Sequence, residues 1–262
     1  MDDIVLEDLM IDDFGEDESN PHSRDGQPQT RPVRASMVLR TRRQNEPMIL
    51  HQQGSLKLTN IAMVHSSPGV DIWQGNAAVQ IQPLRTNEDP LAPLTRPTAT
   101  LDRCDITSRS GRGVVNIDGG YASIKNCYVH DCAATGIYVG GPGSDANIVK
   151  TDVVRNGSGT RSRRGIARGH SGIYLEQGTA RIHDCNISRN SLTGISAISA
   201  SNAVLSLEAS DLVANGGVQL EMPPNGSVAR RRSWARDNNM AVEGFGRSRS
   251  SLAEDSDESP DE

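Results

Sequence analysis

The chain has 262 residues, among them 25 glycines and only eight aromatic residues, and a formal net charge of -6. Nine acidic and no basic residues lie in 1–20, six acidic and no basic residues lie in 251–262, and the sequence between them carries a net charge of +9. Because no run of 18 apolar residues occurs and the N-terminus is acidic, we expect neither a membrane-spanning helix nor a secretory signal. We therefore expect an intracellular protein.

The two ends of the chain differ in composition from the middle. Residues 1–33 run from an acidic stretch with interspersed apolar residues (DDIVLEDLMIDDF) to a basic one, and residues 227–262 run from basic to acidic. Such segments are typical of disordered regions that dock onto a partner. We expect two disordered tails around a folded domain at 34–226. Ser233, which follows three arginines, and Ser259, which precedes a proline and acidic residues, are predicted phosphorylation sites.

Six copies of one pattern fill the predicted domain. Each has two short apolar runs separated by glycine, asparagine and serine, as in SIKNCYVHDCAATGIYV from residue 123. The first apolar residues of the copies, which we call the anchors, are Leu58, Leu101, Ile124, Ile148, Ile182 and Leu207. Their intervals are 43, 23, 24, 34 and 25 residues, and a period in this range is typical of a stacked array. Leucine-rich repeats would need a leucine-dense consensus and a helical return, so the pattern predicts an all-β, single-stranded parallel β-helix of about six to seven coils.

The predicted array has recognisable ends. Two apolar runs at 36–41 and 47–52 predict a partial leading coil. After the last copy, the prolines at 223 and 224 are expected to stop strand addition, because proline cannot donate a ladder hydrogen bond.

Three columns of equivalent residues are expected at the bends of the coils. One column carries small, weakly polar residues: Cys104, Cys127, Thr151, Cys185 and Ser210. It favours a narrow interior site over a redox or metal role, since no CxxC pair occurs. A second carries Arg109, Cys132, Asn156, Asn190 and Asn215, which predicts a ladder of stacked amides with Cys132 as the more exposed thiol. A third carries Gly69, Gly113, Gly136, Gly172, Gly194 and Gly217, where positive φ or close approach is needed.

Two insertions interrupt the repeats. Residues 82–99 contain four prolines and predict a stiff surface loop. The second insertion, GSGTRSRRGIARGHS at 157–171, carries four arginines: Arg161, Arg163, Arg164 and Arg168. We interpret these arginines as a binding element for an acidic or phosphorylated protein partner, because functional loops are common on rigid scaffolds. A solvated loop without a partner, or one that binds the acidic N-terminal tail, is the alternative.

Two tyrosines provide the second candidate binding element. Tyr138 and Tyr174 each follow a Gly-Ile pair on adjacent copies, so we expect them to stack on the outer surface. The same face is expected to continue as Asp71, Ser196 and Gln219. A peptide or sugar platform is one interpretation, and simple stabilisation of the sheet is the other.

The residues do not predict catalysis. The outward column reads Asp105, Tyr128, Asp152, Asn186 and Asp211. Its aspartates fall on alternate coils, about 9.6 Å apart by two strand spacings, whereas glycoside hydrolysis needs two carboxylates about 5–9.5 Å apart. The histidines are scattered, and we expect no catalytic residue, cofactor or metal. The near-neutral repeat region does not favour nucleic acid.

The repeats also resemble a known group of proteins. CDITSRSGRGVVNIDGGYASIKNCYVHDCAATGIYVGG and CNISRNSLTGISAI resemble the right-handed parallel β-helix repeats of the pectate-lyase-like superfamily. Roughly residues 48–224 are most similar to its non-catalytic branch, the Shc-adaptor-binding proteins and the β-helical F-box proteins. The resemblance implies protein recognition, with links to cytokinesis or to ubiquitination. The polygalacturonase Gly-His-Gly signature is not matched by RGHSG at 168–172.

Together these observations predict a non-enzymatic protein-interaction scaffold. We expect a monomer in the cytoplasm, with the nucleus or the spindle as alternatives that the resemblance suggests. A polysaccharide-binding or polysaccharide-active protein is the alternative function. Neither a membrane nor a nucleic acid is an expected partner.

Overall fold

The protein is seen here in a computed structural model. It describes residues 46–67, 76–84, 96–159, 170–198 and 203–222, together with strands at 4–7, 35–40, 228–231 and 234–236. These described parts contain 23 β-strands, β1 to β23 in chain order, and no helix. Within them, accordingly, no helix has the length and apolar character needed to cross a bilayer.

The strands form three parallel sheets. Sheet A contains β1 (Ile4–Glu7), β4 (Ser55–Thr59), β7 (Thr98–Asp102), β10 (Tyr121–Lys125), β13 (Asp145–Val149), β16 (Gly178–His183), β19 (Ala203–Glu208) and β22 (Val228–Arg231). Sheet B contains β2 (Ala35–Arg40), β5 (Ile61–Ser66), β8 (Asp105–Ser108), β11 (Tyr128–His130), β14 (Asp152–Val154), β17 (Asn186–Ser188), β20 (Asp211–Val213) and β23 (Trp234–Arg236). Sheet C contains β3 (Ile49–His51), β6 (Ala77–Ile81), β9 (Arg112–Ile117), β12 (Ile137–Gly140), β15 (Ile173–Leu175), β18 (Ile195–Ala197) and β21 (Leu220–Glu221).

The chain passes through sheets A, B and C in turn, and each passage makes one coil. The described strands give seven complete coils and part of an eighth. Each strand pairs with its equivalent in the coils before and after it, as β10 does with β7 and β13. The predicted all-β parallel β-helix is confirmed.

The anchors form a continuous column inside sheet A. Leu58 pairs with Leu101, which pairs with Ile124, and the register continues in the same way to Leu207. All six anchors are buried. Burial of one such side chain stabilises the fold by about 1.5–3 kcal/mol, so this predicted column accounts for much of the hydrophobic core.

The column of small residues lies inside the bend between sheets A and B, as predicted. The backbone N–H of Cys127 donates to Thr151 Oγ1 at 3.3 Å, and that of Cys185 donates to Ser210 Oγ at 3.0 Å. Burial raises the pKa of the Cys185 thiol to about 12. This cysteine is therefore protonated at neutral pH, and a reactive thiolate does not form there.

The predicted asparagine ladder lies between sheets B and C. Oδ1 of Asn156 accepts the backbone N–H of Cys132 at 3.1 Å, Oδ1 of Asn190 accepts that of Asn156 at 3.0 Å, and Oδ1 of Asn215 accepts that of Asn190 at 3.0 Å. Each amide nitrogen also donates to a backbone carbonyl of the preceding coil. The ladder thus satisfies backbone groups that the bend would otherwise leave unpaired.

Two expectations about this column are wrong. Cys132 is buried rather than the more exposed thiol, because its sulfur packs in the interior against Gly113. Burial raises its pKa to about 12. Arg109 is exposed, and the residues on either side of it, Ser108 and Ser110, are buried instead.

The glycine column is correct in the middle of the array and wrong at its C-terminal end. Gly136 lies in register with its three predicted neighbours Gly113, Gly172 and Gly194. None of the four has positive φ; each is required by close approach, since a Cβ would lie within 2.8 Å of another atom. Gln219 rather than Gly217 is in register with Gly194, because Gln219 follows the anchor Leu207 by the same 12 residues that separate Gly194 from Ile182. Gly69 lies outside the described residues.

The ends of the array extend further than predicted. Strands β2 and β3 confirm the leading coil, and β1 adds to sheet A before it. Strands β22 and β23 pair with β19 and β20 after the two prolines. The expectation that the prolines stop strand addition is therefore wrong, because a proline interrupts a ladder only at its own position. Strands β1, β22 and β23 lie outside the predicted domain at 34–226. The disorder expected for the rest of both tails stays a prediction.

Candidate functional site

Tyr138 and Tyr174 lie at equivalent positions on β12 and β15, where the register pairs them directly. Their neighbours along each strand are buried and both tyrosines are half-buried, because alternate residues of a strand point to opposite faces. Their rings are almost parallel, with an interplanar angle of 8° and centroids 5.6 Å apart. The predicted outward stack is confirmed, whereas its role in binding stays a prediction.

Arg112 extends this stack on the preceding coil. Its guanidinium carbon lies 4.3 Å from the centroid of the Tyr138 ring. Because β9 and β15 lie on opposite sides of β12, Arg112 and Tyr174 contact opposite faces of Tyr138. A cation over a tyrosine face is stabilised by about 0.5–2 kcal/mol, depending on how well water is excluded. We call this arrangement the Arg112–Tyr138–Tyr174 stack.

Two carboxylates lie beside the stack. The hydroxyl of Tyr138 donates to the carboxylate of Glu176, and Ser196 Oγ donates to Glu221 Oε2 at 2.6 Å. Burial, and then Glu176, raise the pKa of Tyr138 above its ordinary value, and burial with Glu176 and Glu221 does the same for Tyr174. Both phenols are therefore neutral at physiological pH.

We call this surface of sheet C the tyrosine face. It comprises Arg112, Tyr138, Tyr174, Glu176, Ser196 and Glu221. Gly140 belongs to its floor, because a Cβ there would lie 2.7 Å from the ring of Tyr138. The ring therefore lies over its own strand, and its orientation is fixed by a glycine, a carboxylate and two stacked neighbours.

A second cluster lies on the outward face of sheet B, which we call the histidine cluster. His130 Nε2 lies 2.6 Å from Asp105 Oδ1, and His130 Nδ1 lies 2.6 Å from Asp131 Oδ2. Arg155 donates twice to the carboxylate of Asp131, at 2.9 and 2.7 Å, and also to the hydroxyl of Tyr128 at 2.9 Å. The rings of Tyr128 and His130 are 4.1 Å apart. The cluster links three successive coils.

The comparison with protein families agrees with this architecture. A family described as the right handed beta helix region matches residues 69–228, which is more than half of the chain. The chain belongs to the right-handed β-helix family. No curated protein and no solved structure matches it.

Only part of the predicted site of this right-handed β-helix falls within the described residues. The insertion arginines Arg161, Arg163, Arg164 and Arg168 and the predicted phosphorylation sites Ser233 and Ser259 lie outside them. His170, the first described residue after the arginines, has its pKa lowered by burial and by Arg112. Gly172, which directly follows the insertion, is in register with Gly136, so the C-terminal end of the insertion lies close to the tyrosine face.

The expected continuation of the tyrosine face is partly wrong. Ser196 follows Tyr174 as predicted, but Glu221 rather than Gln219 comes next. On the other side the column continues as Val115 and Gln80, whereas Asp71 lies outside the described residues. The second coil of the β-helix is longer than the repeat. The last coil has the ordinary spacing, and Glu221 follows Leu207 by the same 14 residues that separate Ser196 from Ile182.

The sequence interpretation missed the histidine cluster of the β-helix. The outward column from Asp105 to Asp211 is confirmed by the register. His130, however, lies two residues beyond Tyr128 on the same face of β11, and it reaches diagonally to Asp105 on the preceding coil. The signal in the sequence that could have indicated this cluster is the adjacent pair His130 and Asp131 at the end of an apolar run.

The charges of this cluster are those of an ion pair network. Burial lowers the pKa of His130, but hydrogen bonds to Asp105 and Asp131 outweigh it and raise the pKa above its ordinary value. Burial raises the pKa of Asp131, but His130 and Arg155 lower it by more than burial raises it. The pKa of this carboxyl therefore lies well below its usual range. Protonated His130 can donate from both imidazole nitrogens to these carboxylates, and in that state neither nitrogen is available as a general base. Among the described residues, no group of three or more metal-ligating side chains could hold a metal ion.

We expect the histidine cluster to stabilise the β-helix in a pH-dependent manner. Because the pKa of His130 is raised in the folded state, its stabilisation is present below the unfolded pKa of about 6.5 and is lost as pH rises through the folded pKa. His130→Gln should therefore destabilise the protein more at pH 5.5 than at pH 8.5. Urea unfolding of both proteins across this range measures the difference.

The exposed His183 on sheet A provides a matched control, since His183→Gln removes an imidazole outside the histidine cluster. A comparison between variants is required because burial lowers the pKa of His65 and His170. These two histidines contribute stability that increases with pH, which opposes the contribution of His130. Equal destabilisation by His130→Gln at both pH values would contradict a charged His130.

Proposed function

We propose that this β-helix is a non-enzymatic scaffold that binds a protein partner through its tyrosine face. The observation that carries the proposal is the Arg112–Tyr138–Tyr174 stack, which is held by Glu176 on a rigid sheet. Tyrosine and arginine are the residues that most often dominate the energy of protein interfaces. Side chains that are already ordered lose little conformational entropy on binding, so this face is prepared for a partner.

The geometry supports a protein partner better than a sugar platform. A sugar ring stacks on an open aromatic face, but Tyr138 has Arg112 on one face and Tyr174 on the other. This ring therefore presents only its edge to an incoming ligand. The resemblance of the repeats to Shc-adaptor-binding and β-helical F-box proteins supports the same function, and with it a cytoplasmic, nuclear or spindle location.

The alternative is a polysaccharide-binding or polysaccharide-active protein. One observation favours it: Asp105 and Asp131 bring two carboxylates together on one outward face, around His130. Both carboxylates are hydrogen-bonded to the same imidazole, which favours a structural link over general acid–base chemistry. A glycan array and a screen for lyase and hydrolase activity distinguish the two functions. Turnover that is abolished by Asp105→Asn would support the alternative and contradict the scaffold.

We expect Tyr174→Ala to weaken partner binding by about 30-fold or more, the effect of an interface hot spot of about 2 kcal/mol. Tagged full-length protein and the variant are compared by quantitative affinity capture with mass spectrometry, followed by affinity measurement on the captured partner. In the same capture, Arg163→Glu with Arg164→Glu should deplete acidic or phosphorylated partners.

Tyr121→Ala provides the matched control for this experiment. Tyr121 lies on sheet A, and the guanidinium carbon of Arg96 lies 5.3 Å from its ring centroid, so the control removes the same kind of contact from a different face. Equal loss of partner in both variants, or loss in neither, would contradict binding at the tyrosine face.

A further inference from the structure

Two arginines on sheet A approach one carboxylate. Asp145 lies on β13, Arg181 lies on β16 in the next coil, and Arg96 precedes β7 two coils earlier. The guanidinium of Arg181 donates to Asp145 Oδ1 at 2.7 Å. Nη2 of Arg96 lies 3.8 Å from Asp145 Oδ2, which is too far for a hydrogen bond. The two guanidiniums therefore converge on the same carboxylate from coils on either side of it.

This part of sheet A is open to solvent. The side chains of Arg96 and Arg181 are 47% and 56% exposed, whereas that of Asp145, at 21%, is the more buried group between them. The guanidinium carbon of Arg96 lies 5.3 Å from the centroid of the Tyr121 ring, a contact that holds the cation without using its N–H groups. Within the part of the chain that the structure describes, Arg96 donates no hydrogen bond and Arg181 donates only to Asp145.

An amide lies beside the two arginines. Asn147 is in direct register with Arg181. It follows Asp145 by two residues on β13, so both side chains point to the outer face of sheet A. The side chain of Asn147 is half-buried and makes no hydrogen bond to a described residue. Two guanidiniums and one amide thus present unused N–H donors around one exposed point.

The charges at this point are not balanced. Two guanidiniums face one carboxylate, which leaves one positive charge without a partner. Asp102, the acidic residue on the neighbouring outward row of sheet A, is already paired with Arg103 at 3.1 Å. Guanidinium and amide N–H groups match the oxygens of a carboxylate or a phosphate, and a charged acceptor forms the stronger hydrogen bonds. A second anion would therefore be stabilised here by both cations.

We propose that Arg96, Arg181 and Asn147 bind an oxyanion, the carboxylate or phosphate group of an acidic segment of a protein partner. We call this arrangement the oxyanion site. It lies on sheet A, whereas the tyrosine face lies on sheet C, so this inference goes beyond the proposed function and does not depend on it. Tyr121→Ala leaves all three donors in place, which keeps that variant a control for the tyrosine face.

A nuclear magnetic resonance titration of the full-length protein tests the inference. The chain contains four tyrosines, so selective ¹³C labelling of tyrosine gives a simple spectrum in which Tyr121 reports on Arg96, and Tyr128 and Tyr174 are internal controls. The probes are the capped tripeptides acetyl-Gly-Glu-Gly-amide and acetyl-Gly-phosphoserine-Gly-amide, compared with acetyl-Gly-Gln-Gly-amide. We expect saturable shifts of the Tyr121 signal with an acidic peptide and binding of the glutamine peptide that is weaker by about 10-fold or more. The tighter of the two acidic peptides identifies the bound group as carboxylate or phosphate.

Three variants make the test specific. Arg96→Gln and Arg181→Gln should each weaken binding of the acidic peptide about 5- to 10-fold, because each removes one cation and keeps a polar side chain. Arg103→Gln provides the matched control, since it removes an equally exposed arginine that is paired with an aspartate outside the site, and it should leave binding unchanged. Unchanged dispersion of the tyrosine signals shows that the variants are folded. Equal binding of all three peptides, equal loss in Arg103→Gln, or shifts centred on Tyr174 would each overturn the inference.

The outcomes for the oxyanion site and for the proposed function can be told apart. Binding of an acidic peptide that depends on Arg96 and Arg181 supports the site, whether or not Tyr174→Ala loses the captured partner. Loss of the captured partner in Tyr174→Ala without binding of either acidic peptide contradicts the site and leaves the proposed function intact.

Discussion

Replacing Asn190 with alanine is expected to lower the free energy of unfolding by about 3–5 kcal/mol. Oδ1 of this buried residue accepts the backbone N–H of Asn156 at 3.0 Å, and Nδ2 donates to the carbonyl of Val153 at 3.0 Å. Alanine would leave the N–H of Asn156 without its acceptor inside the solenoid and would remove a donor from the Val153 carbonyl. Each buried polar group left unpaired costs about 1–3 kcal/mol, which adds to the lost hydrogen bonds.

Urea unfolding followed by circular dichroism measures this effect. Asn186→Ala provides the matched control, because Asn186 is the outward residue of the same coil on β17 and its loss should change stability by less than about 0.5 kcal/mol. Asn190→Asp should also destabilise the protein at neutral pH, since a carboxylate cannot donate to the Val153 carbonyl. Equal effects of Asn190→Ala and Asn186→Ala would contradict a stabilising ladder.

The interior of this protein could be predicted from sequence because stacking imposes one rule on every coil. A position that points inward in one coil points inward in the next, so the same kind of side chain recurs after each period. This is why the anchors from Leu58 to Leu207 and the small residues from Cys104 to Ser210 could be aligned from the spacing of apolar residues alone. The register pairs of the anchors confirm the alignment.

The outer surface could not be predicted in the same way. Arg112 contacts Tyr138 and His130 contacts Asp105 across neighbouring coils, and these residues are not equivalent positions of the repeat. Such contacts depend on the length and direction of each side chain, which periodicity does not encode. At the C-terminal end, alignment on Gly217 predicts Gln219 in this column, whereas the register places Glu221 there.

The burial of Cys132, which was predicted to be the more exposed thiol, shows a different limit of sequence reasoning. The repeat aligns it correctly with the asparagines, but the thiol in place of an amide was interpreted as the more exposed one. In the structure its backbone N–H still donates to Asn156, and its sulfur fills the space beside Gly113. Burial in this array is set by the position in the coil, and the side chain adapts to it.

Replacing Gly172 with alanine is expected to lower the free energy of unfolding by about 2–3 kcal/mol, the typical effect of overpacking a core. The new Cβ would lie 2.4 Å from Nδ2 of Asn190 and 2.9 Å from the carbonyl oxygen of Gly194. Neither neighbour can move freely, because Nδ2 of Asn190 is held by its acceptors in the ladder and the carbonyl belongs to the backbone of the next coil. Thermal and urea unfolding measure the loss.

Gly119→Ala separates this steric effect from the conformational freedom of glycine. Gly119 has a φ of +100°, and its Cβ would meet only the carbonyl oxygen of Pro142, at 3.7 Å. Its replacement should cost about 1 kcal/mol through backbone strain alone. Gly172 lacks positive φ, so any larger loss there arises from close approach to the ladder.

The double variant Gly172→Ala with Asn190→Ala tests this cause directly. Removal of the Asn190 amide leaves room for the new methyl group, so the two costs should not add, and the double variant should be more stable than their sum by about 1–2 kcal/mol. Additive costs would mean that the backbone of Gly194, rather than the asparagine ladder, excludes a side chain at Gly172. A coupling of the expected sign would show that the glycine column and the asparagine ladder form one packing unit, in which each glycine provides the space that the neighbouring amide occupies.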